Sequence, residues 1–165
     1  MSQAIEIEDS FAEIRQRVLG TNINEQSLLA TDYINVFNEV IMLLEMVPDM
    51  TECLDDIRDW QPVSYVEHFE RSCFADKELA IMAYEHSPKE FREPFDQTVD
   101  LLNQLIARSI DRADRAVAAG DQMALCDMVL ASVQDLHRLV DITGAIVNGR
   151  QTTLAQQDID SLLAG

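Results

Sequence analysis

Glycine and proline are scarce, with five and four residues among 165, and only two lysines occur, Lys77 and Lys89. With so few helix-breaking residues, and no stretch that keeps a period of two for long, the chain is expected to be almost entirely helical. The shortage of basic side chains leaves a formal charge of -18 and a pI near 4.2. Nucleic acid and anionic membranes are therefore excluded as partners, because binding either depends on neutralising phosphate, whereas a basic protein partner fits. Long apolar runs are also lacking. Those present, such as Val40 to Leu44, are far short of the roughly 20 residues that span a bilayer. The acidic start, Met1 to Asp9, has neither the basic nor the apolar part of a secretion signal, so a cytoplasmic protein is expected.

Chemistry-bearing patterns are equally sparse. Cys53, Cys73 and Cys126 are odd in number and widely spaced, which suits reduced, buried thiols better than disulfides. His68, His86 and His137 are scattered, no Glu-x-x-His pair offers a bundle metal site, and no cysteine pair has zinc spacing, so no metal or cofactor is expected. There is no phosphate-cradling glycine loop and no Gly-x-Ser-x-Gly elbow.

What the sequence does contain is a long helical hairpin from Pro88 to Val147. Phe91, Phe95, Val99, Leu102, Leu105, Ile106, Ile110, Ala113 and Val117 recur every three or four residues, which places them on one helical face. A second arm repeats the spacing from Leu125 to Val147. Between them, Gly120 is suited to a left-handed helix end and Asp121 to capping the next helix. Arms of roughly 40 Å cannot cover their own apolar stripe, so partners must come from the N-terminal half or from a second copy in a homodimer.

Ahead of the hairpin, helices are expected over Ile7–Leu19, from a cap at Ser27 or Thr31 to Val47, over Asp49–Trp60, Ser64–Arg71 and Asp76–His86. Trp60, Tyr65, Phe69, Phe74 and Tyr84 should form a secondary aromatic core. The second helix carries a polar arc of Asp32, Asn35, Asn38, Glu39 and Glu45 with Met42 and Met46 among them, either a solvated face or a place for a partner to dock. The fold class is thus an all-α helical bundle over residues 1–148, built on the hairpin, with a flexible tail over 149–165.

In that tail, Ile159, Leu162 and Leu163 make one small apolar helical edge, with Asp158 and Asp160 facing elsewhere. So short an edge does not hold a helix alone in water, and it is expected to order on a partner. Leu154, Gln156, Ile159, Asp160, Leu162 and Leu163, with Asp158 in place of glutamate, resemble the peptide of the flagellar switch protein family FliM that binds the phosphorylated chemotaxis regulator CheY. The resemblance implies a CheY-like receiver as partner and a place in chemotaxis or flagellar control.

A second resemblance concerns the end of the hairpin. Asp141-Ile142-Thr143-Gly144 is similar to the Asp-Leu-Thr-Gly-Gln segment of the CheZ family of CheY phosphatases, which is also a helical hairpin followed by a linker and a CheY-binding peptide. The family's catalytic glutamine falls at Ala145, which has no amide to orient water, while Asp141 matches its acid. Gln134 and Asn148 lie two turns away on roughly the same face. The acid-x-x-Asn arrangement of the CheC and CheX phosphatases is imitated by Asp32 with Asn35 and by Asp100 with Asn103. Three readings follow: receiver binding through the tail, phosphatase action on a phosphorylated receiver, and a helical scaffold unrelated to chemotaxis whose partner docks on the Asp32 to Met46 face.

Overall fold

The computed structural model describes the backbone of residues 2–150 and 156–164, and the side chains of 10–150 and 157–164. It is an all-α bundle, with α1 (Ser2–Val18), α2 (Asn35–Met46), α3 (Cys53–Ile57), α4 (Tyr65–Arg71), α5 (Lys77–Glu85), α6 (Lys89–Ala119), α7 (Gln122–Val147) and α8 (Gln156–Ala164). Among the described residues the only β pairing is an isolated bridge between Ile23 and Ala30. No described helix is long and apolar enough to cross a membrane.

Helices α6 and α7 form the expected hairpin. Gly120 takes φ +68°, its N–H reaching the carbonyls of Ala116 and Val117, and the Asp121 carboxylate accepts from Ala124 N at 3.0 Å. Those two residues close one helix and open the next, because each supplies a partner to backbone groups that a helix end leaves bare. Leu102, Ile106 and Ala113 from α6 and Leu136 and Leu139 from α7 are fully buried between the arms.

The stripe that the hairpin cannot cover is closed mainly by α2, whose Phe37, Ile41 and Leu44 are buried, and by Leu54 and Ile57 of α3. A second layer of α4 and α5 packs around Tyr65, Phe69, Ala80 and Ala83. The aromatic cluster forms here, and Tyr33, Phe37 and Phe95 make it continuous with the main core. Tyr65 stacks on Tyr84 with centroids 4.7 Å apart, and meets Tyr33 and Phe95 edge-on at 5.3 and 5.7 Å. Phe74 joins the cluster through Phe69 at 5.5 Å, whereas Trp60 packs partly buried against the core and meets none of these rings among the described residues.

Several local expectations are corrected. Ser27 caps no helix: its hydroxyl donates to Val147 O at 2.5 Å, and Ser87 Oγ donates to Ser27 O at 2.6 Å, which ties this loop to both ends of the hairpin. The segment ahead of α2 is a loop with Leu28 at φ +58°, then a 3-10 turn over Thr31–Ile34, and Thr31 makes no capping bond. Helix α3 is five residues rather than the span to Trp60. Of the cysteines only Cys53 is buried, whereas Cys73 and Cys126 are exposed.

Candidate functional site

Two regions gather the residues to which the sequence assigns chemistry. The first is α8. Its Ile159 and Leu162 are 8% and 6% exposed, and Leu163 packs partly buried against the core. The apolar edge expected to meet a partner is therefore laid against the chain's own hairpin, the physical reason being that α6 and α7 offer an uncovered apolar flank to a helix that cannot stand alone.

Two arginines fasten it. Arg108 of α6 donates to Leu163 O, and Arg138 of α7 lies 3.5 Å from Asp158. Both partners of that ion pair are about half exposed, at 54% and 42%, so it contributes under about 1 kcal/mol. The two aliphatic side chains give about 3–6 kcal/mol gross, from which the ordering entropy of the helix is still to be subtracted. The hold on α8 is thus a light one. Asp160 is exposed, Gln156 opens the helix, and Leu154 lies outside the described residues.

The second region is where α2 crosses α7. Asp141 is exposed and lines a cleft of about 390 Å³ with Ile34, Gly144, Ala145, Asn148 and Arg150. Asp32 and Asn35 line a neighbouring cleft of about 270 Å³ with Thr31, Ile34 and Asn38. Ile34 is the wall common to both, and a Cβ on Gly144 would meet its Cδ1 at 3.9 Å. Carboxylates and carboxamides from two separate helices are in this way brought side by side, a juxtaposition that spacing along one helix does not reveal. Asp32 is not free in this arrangement, since it pairs with His68 Nε2 at 2.9 Å. Gln134 is exposed on α7, and Ala145 is half-buried in the Asp141 cleft with no amide to offer.

The second acid-x-x-Asn pair lies elsewhere. Asp100 and Asn103 line a cleft of about 410 Å³ with Asp96, Tyr84, Tyr65 and Tyr33. Tyr84 donates to Asp96 at 2.8 Å, and burial raises the Asp96 carboxyl above its ordinary range. Asn103 Oδ1 is buried with no hydrogen-bond partner among the described residues. Sequence reading missed Asp96, although Asp96, Asp100 and Asn103 fall at i, i+4 and i+7 of α6, the spacing of one helical flank. Arg108 and Arg138 were also missed, and only the docked α8 gives them a role. Among the described residues no group of His, Cys, Asp and Glu is arranged to hold a metal ion.

Comparison with protein families, with characterised proteins and with solved structures finds no match to this chain.

Proposed function

We propose that this chain is a signalling protein that binds a CheY-like receiver through α8, which exchanges between its own hairpin and the partner. The observation that carries the reading is the lightly held amphipathic helix itself. Its contacting residues, Ile159 and Leu162, are those of the FliM-like pattern, and its hold on the bundle rests on little besides them and two exposed arginines. Asp158 and Asp160 favour a lysine-bearing surface on the partner. The docked state lowers the apparent affinity of the tail for its target by the fraction of time it is occupied. The experiment is titration of the full chain into CheY-like receivers with and without a phosphate mimic, and saturable binding that favours the activated form is expected.

A phosphatase is the second reading, and the cleft around Ile34 favours it. Asp141 would engage the receiver's catalytic lysine, while Asn148 in the same cleft, or Asn35 in the next, would orient the attacking water. Substoichiometric chain should then speed receiver dephosphorylation, with a loss of at least tenfold in Asp141→Ala or Asn35→Ala. Unaltered dephosphorylation in the presence of the chain would leave binding alone.

A further inference from the structure

Helices α2 and α7 share an outward face that extends the Asp32 to Met46 face across to α7 and that neither receiver binding through α8 nor the phosphatase reading uses. The two run antiparallel: Ile34 lies beside Gly144 at one end, and at the other Gln122 Nε2 donates to Pro48 O at 2.8 Å. Both pack on α6 and on each other, so the helical period turns Met42 and Met46 outward on α2 and Met123 and Leu130 outward on α7, and the Gln122–Pro48 contact sets the Met46 to Met50 end beside Met123.

This face concentrates exposed apolar surface. Of the six large apolar side chains exposed among the described residues, five belong to it or to its end: Met42, Met46, Met50, Met123 and Leu130. Met123 and Leu130 are 77% and 62% exposed, values at which a side chain contributes almost nothing to its own fold. Four of the five are methionines, whose unbranched, polarisable thioethers adapt to differently shaped apolar partners.

Its charge is of one sign. No Lys, Arg or His occurs from Thr31 to Ile57 or from Ala116 to Leu136, while Glu39, Glu45, Asp49, Asp121 and Asp127 are exposed along the same two stretches. A second copy of the chain would bring these carboxylates against each other, which opposes self-association through this face.

We propose that the α2–α7 face is a docking surface for a basic amphipathic helix of another protein, its apolar side on the methionines and its Lys or Arg side chains on the flanking carboxylates. Met123 to Leu130 covers about two turns of α7, and Met42 to Met46 with the turn that follows it to Met50 runs alongside, which sets the contact at roughly 10–15 Å of partner helix. This proposal does not depend on receiver binding by α8, which docks on α6 and on the Arg138 side of α7.

The test is calorimetric titration of the full chain with a synthetic amphipathic leucine–lysine helical peptide, against a leucine–glutamate peptide of the same pattern. Saturable one-to-one binding of the lysine peptide alone is expected, weakening with salt. It should fall at least tenfold in the triple variant Met42→Ser, Met123→Ser, Leu130→Ser, whose net charge and thermal unfolding match the parent. Because charge is unchanged, equal binding by the triple variant would reduce the effect to general attraction between an acidic chain and a cation, and would overturn the proposal. So would binding of the glutamate peptide, or sedimentation showing a dimer of the full chain that the triple variant abolishes.

Discussion

Leu162→Asp is expected to abolish measurable binding to an activated receiver while leaving the bundle folded. Leu162 is the more deeply buried of the two α8 anchors, and a carboxylate there cannot be desolvated against an apolar surface, whether that of α6 and α7 or that of a partner. Loss of such a central apolar contact costs about 2–4 kcal/mol of binding, a factor of about thirty to a thousand. The stability of the rest is little affected, since the hairpin core of Leu102, Ile106, Leu136 and Leu139 is complete without α8. Amide exchange should show α8 losing its protection while α6 and α7 keep theirs. A variant that binds as tightly as the parent would remove α8 from the interface.

Steep alkaline unfolding is the second large effect. All three tyrosines of the chain lie in one cluster, and burial pushes each phenol up, Tyr84 to about 12 and Tyr33 and Tyr65 further. Each is also engaged: Tyr33 donates to Val63 O at 2.6 Å, Ala30 N donates to Tyr65 Oη at 2.9 Å, and Tyr84 donates to Asp96. A phenol whose value is raised on folding contributes stability that is fully present below its unfolded value of about 10 and is lost as pH rises above it. The two buried phenols give a slope approaching about 3 kcal/mol per pH unit, to which the more exposed Tyr84 adds less, enough to exhaust a typical domain stability within two or three units. Phenolate absorbance and loss of helical circular dichroism should therefore appear together between about pH 10 and 12. Phenolate formation near pH 10 with the helices intact would contradict the buried arrangement.

The parts of this fold that were legible in the sequence are those set by neighbours in the chain. The hairpin shows because its apolar period is long and because Gly120 and Asp121 are read by the very backbone groups beside them. Ser64, which accepts from Glu67 N at 3.1 Å, shows for the same reason. What stayed hidden depends on residues far apart. Ser27 resembles a helix cap until Val147, 120 positions on, takes its hydroxyl. Leu28 adopts a left-handed backbone that a buried, branched side chain seldom takes, and only the packing of that loop explains it.

The candidate site divides along the same line. The amphipathic edge of α8 was visible, but its resting place was not, because the flank that receives it is assembled from α6 and α7 and marked by Arg108 and Arg138, which look like ordinary surface charges in sequence. The pair Asp32 and Asn35 was visible, and so was Asp141, but each apart from the other. Their meeting around Ile34 needed the crossing of α2 over α7.

Helix α8 is expected to be shared between the bundle and a receiver. The direct measurement compares the full chain with a synthetic peptide of residues 152–165 in titrations of a CheY-like receiver carrying a phosphate mimic. Both should saturate, the peptide more tightly, because it has no hairpin competing for Ile159 and Leu162. Failure of both to bind any receiver would contradict the account, leaving α8 as a fixed part of the bundle.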